Sequence, residues 1–275
     1  MKLHDRVVLV TGASSGLGLA TARLLHEKGY RVYGTSREPT REAGAAAHGF
    51  AMLRMQVDDD ASVRAAVAEI VSHEGRLDAV SNNAGFGICG AIEDTSSEEA
   101  HAQLETNFFG LHRVVRAVLP QMRQQRYGYL VNTSSLAGLI GLPFQAFYSA
   151  SKFAVEGYTE ALRMEVRAFG IRVALIEPGD FKTGFTAKRR FTAASQPDSP
   201  YREQMRRCVA LYERDEARGG NVDSVARLFL RIIETDRPRL RHVAGPFAQR
   251  LGAHVKRHAP DALFERLLAS TYEMR

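Results

Sequence analysis

At 275 residues, with 45% hydrophobic and 25% charged residues, the chain can bury a large core without staples. Its two cysteines, Cys89 and Cys208, lack metal-ligand spacing, so no metal and a reduced, cytoplasmic setting are expected. The net charge of +6 is concentrated from Lys182 onward, where 19 Lys and Arg face 11 Asp and Glu; solvated helix faces account for that skew, and an anionic ligand stays open. "KRR" (188–190) lacks interleaved aromatics, and no apolar run is long enough for a signal peptide or a membrane span, so neither nucleic acid nor a transmembrane segment is expected.

Strand-like and helix-like patterns then alternate. "RVVLVT" (6–11) is a short β-branched run followed by a helical stretch at 17–28. "RVYGTS" (31–36) and "AMLRMQV" (51–57) read as the second and third strands. The helix at 62–75 ends on a glycine, and "LDAVSN" (77–82) is a fourth strand. A capped helix spans 97–124, and strand "YGYLVNT" (127–133) comes next. Helix 147–169 precedes strand "IRVALIEP" (171–178). Beyond a loop near 179–200, helices are expected at 201–217 and 222–235, then a strand at 239–243 and a helical tail. Short apolar strands alternating with longer helices predict βαβ units: one doubly wound, parallel α/β domain with helices on both faces. The domain is expected to span 1–275, with a substrate-binding region at about 180–220 and a helical extension at about 244–275. Tyr127 to Ser151 carries no charged residue and reads as strand, loop and helix start buried beneath other chain.

Two glycine strings compete for a phosphate. "GFGICG" (85–90) matches G-x-G-x-x-G letter for letter, but the next helix signals come only at 95–97. A phosphate turn must open directly into a helix, whose free N–H groups hold the anion. "TGASSGLG" (11–18) does open into one. There Gly12 permits the tight turn, Gly16 a close backbone approach and Gly18 helix–strand packing, while Ser14 and Ser15 add hydroxyls. After the second strand there is no acid before Glu38. Ser36 and Arg37 stand there instead, which predicts NADP(H) over NAD(H).

"YSASK" places Tyr148 and Lys152 on one helix face. A nearby ammonium lowers a phenol's pKa and fits Tyr148 for acid–base work, although many surface helices hold such a pair. Ser135, at a strand end, could position a carbonyl or alcohol oxygen. Asn107, in a helix flanked by "FF", could be a buried polar group with a task or a core hydrogen-bonding residue. The turn at 12–18, Arg37, Val57, "NNAG" (82–85), Ser135 and "PGD" (178–180) each follow a predicted strand end. In a parallel sheet they share one edge, where ligands bind.

With these motifs in this order, the sequence resembles the short-chain dehydrogenase/reductase family, most clearly over 6–183. That resemblance implies a Rossmann-type, three-layer sheet of about seven strands and a nicotinamide cofactor. It further implies Tyr148 as acid/base, Lys152 as its modulator and ribose ligand, Ser135 orienting substrate, and Asn107 supporting a water relay. The remaining cofactor contacts it implies are Leu17, Gln56, Val57, Asn83, Ala84, Gly85, Pro178, Gly179 and Thr183. Gln56 replaces the Asp that many relatives direct at adenine. The stretch from Ser151 to Val166 and the long C-terminus look like members acting on steroids and retinoids. The expected reaction is hydride transfer between nicotinamide and a lipophilic ketone or secondary alcohol. A non-catalytic NADP sensor and an epimerase or dehydratase are the alternatives. Helices 97–124 and 147–169 are expected to pair across a two-fold, giving dimers or tetramers.

Overall fold

The computed structural model describes residues 6–38, 49–185, 188–256 and 258–274. Seven parallel strands form the central sheet: β1 (Val7–Thr11), β2 (Arg31–Ser36), β3 (Ala51–Arg54), β4 (Ala79–Asn82), β6 (Gly128–Thr133), β7 (Ile171–Pro178) and β9 (Arg241–Ala244). Their order is β3-β2-β1-β4-β6-β7-β9, the doubly wound arrangement, with the chain reversing its direction of travel between β1 and β4. Alternation along β1 shows why both faces are covered. Val7 and Leu9 join one apolar cluster, Val8 and Val10 the other, and all four are fully buried.

Helices α2 (Asp60–Glu74), α4 (Gly110–Gln125) and α5 (Ala146–Glu165) fill one face through Ile70, Val118, Met122 and Val155. Helices α1 (Gly16–Glu27) and α7 (Asp223–Glu234) fill the other through Leu25, Phe229 and Ile233. Local chemistry sets the ends. Asp59 accepts from the first amides of α2, and Gly75 closes it in the left-handed region at φ 67. Ser96 and Glu99 form a capping box on α3 (Ser97–Leu104).

The uncharged stretch is β6, a short 3₁₀ turn at Leu136–Gly138 and the start of α5. Its buried amides are paired: Asn82 donates to Asn132 (2.8 Å), and Asn132 to Thr159 (2.9 Å). The predicted loop after β7 holds more structure than its composition suggests. Arg190–Phe191 (β8) pairs in parallel with Ile88–Cys89 (β5), beneath α6 (Arg202–Ala217). A two-residue strand carries no periodicity to read. The tail forms α8 (Phe247–Lys256) and α9 (Asp261–Thr271).

Behind the sheet's ligand edge, Arg241 bridges two buried carboxylates, Glu156 (2.9 Å) and Glu177 (3.2 Å). Removing one partner of a buried ion pair leaves uncompensated charge, which costs far more than the intact pair contributes. Arg241→Ala is therefore expected to destabilise the fold by about 3 kcal/mol, read as a lowered urea midpoint at unchanged slope.

Candidate active site

The carboxyl ends of the strands bring the expected residues to one edge. Thr11 ends β1, and its hydroxyl accepts from the backbone N–H groups of Asn83 (2.9 Å) and Ala84 (3.0 Å) beyond β4. The Asn83 side chain donates back to the Thr11 carbonyl (3.1 Å). Asn83 thus stitches β4 to the glycine turn. That turn is as tight as its letters suggest. Gly12 has φ +66, and a Cβ on Gly18 would stand 2.3 Å from the Gly12 carbonyl oxygen. Leu17 packs on the core beside it, with Ser14 half-buried in the turn. Ser15 precedes α1 without making a side-chain cap bond.

At the end of β2 the Ser36 hydroxyl is buried with no hydrogen-bond partner, and Arg37 is exposed next to it. After β3, Gln56 lines a shallow depression with Asp59 and Ser62, while Val57 packs against Gly110. Beyond β7, the Gly179 N–H donates to the Ala244 carbonyl (2.8 Å) and the Pro178 carbonyl accepts from Ser135 Oγ (3.3 Å). Thr183 lies against Gly16, where an added Cβ would meet its side chain at 3.4 Å. A glycine cradle that a Cβ would fill, opening on a helix N-terminus, and an orphaned hydroxyl at the end of β2 both fit a dinucleotide.

Tyr148 lies in the first turn of α5. The Lys152 ammonium lies 5.8 Å from its ring, and the Ser135 hydroxyl is near enough to favour its phenolate form. Lys152 donates to the Thr133 carbonyl at the end of β6 (2.9 Å). One expectation changes here. Burial pushes the Tyr148 phenol up to about 12, outweighing the nearby Ser135 hydroxyl that pulls it down. Burial also pushes the Lys152 ammonium down to about 8, opposed by Glu156. Desolvation penalises both charged forms, so burial here favours the neutral phenol.

Asn107 was expected within one continuous helix. Instead, a π-helical turn at Glu105–Phe109 separates α3 from α4, a feature frequent at functional sites. It directs Asn107 inward, where the amide accepts from Phe86 N–H (3.0 Å) and donates to the Phe86 carbonyl (3.0 Å) and Ser151 Oγ (3.2 Å). Ser151 immediately precedes Lys152. Gln103, one helical step earlier, was not foreseen. It is fully buried and clamps the same loop through Ile88 N–H (2.7 Å) and the Phe86 carbonyl (2.8 Å). A glutamine four residues before a buried asparagine was the available signal.

The "GFGICG" glycines serve packing. Added Cβ atoms would meet Asn107 at Gly85, the Phe185 ring at Gly87 and Thr192 at Gly90. Phe185 also covers Tyr148, with ring centroids 5.7 Å apart. Of the other apolar residues in this region, Phe181 and Met205 are buried in the core.

The profile of the family described as "short chain dehydrogenase" matches residues 6–193. The chain belongs to that family.

A 3-ketodihydrosphingosine reductase of Bacteroides thetaiotaomicron is 42% identical over 273 residues, 99% of this chain and all of that protein. Estradiol 17-beta-dehydrogenase 1 of Rattus norvegicus is 35% identical over 255 residues, 87% of this chain and 74% of that one. A short-chain dehydrogenase/reductase of Burkholderia phymatum, solved in complex with NAD, is 27% identical with a TM-score of 0.77, covering 88% of this chain and 90% of that one. This short-chain dehydrogenase is accordingly an oxidoreductase that works with a nicotinamide dinucleotide. Among its described residues no helix is long and apolar enough to cross a membrane.

Proposed function

We propose that this dehydrogenase reduces a lipophilic ketone with NADPH, and that the substrate is a long-chain keto lipid of the 3-ketodihydrosphingosine type. The reading rests chiefly on one arrangement, the Tyr148 phenol in the first turn of α5 with the Lys152 ammonium 5.8 Å from its ring, and burial favours the protonated, proton-donating form of that phenol. A phenol held near 12 keeps its proton at neutral pH and has it available to donate. The bound nicotinamide supplies the hydride. Ser135 holds the carbonyl oxygen, Tyr148 protonates it, and the Lys152 ammonium steadies the phenolate that results. Asn107 positions Ser151, and through it the start of the Lys152 turn.

The substrate class is supported by the end-to-end likeness to the keto-lipid reductase and by the aromatic cover that Phe185 places on Tyr148. NADPH preference is supported by Ser36 and Arg37 at the end of β2, with no acid before Glu38. A site holding donor, orienting hydroxyl and ammonium favours catalysis over a sensor role. The whole chain acts as one catalytic domain in this reading. It associates as a dimer or tetramer through α4 with its preceding π turn and α5, where Phe109, Phe153 and Met164 are exposed.

The test is a ketone panel of graded chain length, including 3-ketodihydrosphingosine, assayed with both cofactors by nicotinamide absorbance. We expect kcat/KM to rise with chain length and to be at least about tenfold higher with NADPH, a difference of about 1.4 kcal/mol. Equal efficiency with NADH would refute the cofactor preference, and a preference for short ketones would refute the lipid reading.

A further inference from the structure

The run Lys188–Arg189–Arg190 carries three adjacent cations with three separate fates. Arg189 is buried and salt-bridged to Glu216. Arg190 opens β8, with its N–H on the Gly87 carbonyl (3.0 Å) and its guanidinium 4.6 Å above the Phe86 ring. Lys188 turns the other way, and its ammonium donates to Ser15 Oγ at 2.9 Å, across 173 residues of sequence.

That placement is unfavourable taken alone. The N-terminus of α1 carries the positive end of the helix dipole, and cations are favoured at the opposite end. The first turn of α1 holds no acidic residue to offset it. An exposed ammonium–hydroxyl hydrogen bond gains little once the ordering of a long side chain is counted. An ammonium, free helix amides and an uncommitted Ser15 O–H proton therefore converge with no negative charge among them. An anion relieves that arrangement.

We propose that Lys188 is a ligand of the cofactor's pyrophosphate, and that this contact holds residues 181–185 and 188–191 at the crevice. The segment already touches the site at two further points, Thr183 against Gly16 and Phe185 against Tyr148. One residue thereby links cofactor binding to the cover over the catalytic tyrosine. This rests on the reading that the glycine turn holds the dinucleotide phosphates.

The test is equilibrium binding of NADH and NADPH to Lys188→Met by nucleotide fluorescence, with ADP-ribose and 2′-AMP as competing probes. Lys188→Arg serves as rescue, and Arg206→Met on the exposed face of α6 as charge control. We expect Kd to rise about tenfold for NADH, NADPH and ADP-ribose alike, with the arginine variant near wild type. Binding of 2′-AMP, which has no pyrophosphate, and the melting midpoint without nucleotide should not move. In hydrogen exchange, NADH should slow residues 181–185 and 188–191 in the wild type and not in Lys188→Met. Unchanged Kd values, an equal loss in Arg206→Met, or a loss confined to NADPH and 2′-AMP would overturn the proposal. Equal protection of the segment in both proteins would overturn its link to the cover. Failure of the wild type to bind either dinucleotide would instead remove the underlying reading, and the proposal with it.

Discussion

Replacing Tyr148 with Phe is expected to lower turnover about a thousandfold while leaving dinucleotide binding within about twofold of wild type. The two rings have the same shape, so contact with Phe185 survives and only the hydroxyl is lost. Without it the carbonyl oxygen has no proton donor. Ser135 cannot replace it, because an alcohol is a far weaker acid than a phenol. The loss should fall on kcat, since the proton moves only as the oxygen becomes basic. Fluorescence titration with NADPH beside steady-state kinetics separates the two quantities. Substantial turnover by the variant would show that another group protonates the product.

Lys152→Met is expected to abolish most activity and yet stabilise the protein at pH 7. The ammonium is buried, and burial lowers its pKa from 10.5 to about 8. Between those values the unfolded chain holds a proton that the folded chain does not. Stability contributed by this group therefore rises with pH across that window, and the full penalty is present below about 8. Methionine fills a similar volume without charge, at the loss of one hydrogen bond to Thr133. A gain of about 1–2 kcal/mol at pH 7 is expected, shrinking toward pH 10. Thermal unfolding at both pH values measures it. For the wild type, reduction should weaken as pH rises through about 8, because the ammonium that steadies the phenolate is lost. A destabilised variant with no pH dependence would show instead that the buried charge is fully compensated.

The sheet was legible because each strand announces itself as an apolar run ending in a loop, and the helices between them fix parallel order. The glycine turn was legible for a related reason: only glycine allows 2.3 Å between a Cβ position and the Gly12 carbonyl. The immediate helix after it separated it from "GFGICG", whose glycines admit side chains of neighbouring segments. Other features depend on tertiary packing that no local pattern encodes. The π turn that aims Asn107, the pairing of Ile88–Cys89 with Arg190–Phe191, and the reach of Lys188 to Ser15 are of this kind. The direction of the Tyr148 shift is not legible in the motif. Four-residue spacing supplies a cation nearby but says nothing of how deeply both groups are buried, and burial wins.

The most direct measurement uses NADPH carrying deuterium at both nicotinamide C4 positions with a long-chain ketone, and reads the alcohol by mass spectrometry. One deuterium on the carbinol carbon, in step with oxidised cofactor formed, is the expected result. Alcohol without that label, or product formed with no net oxidation of NADPH, would contradict direct hydride transfer from the nicotinamide to the ketone carbon.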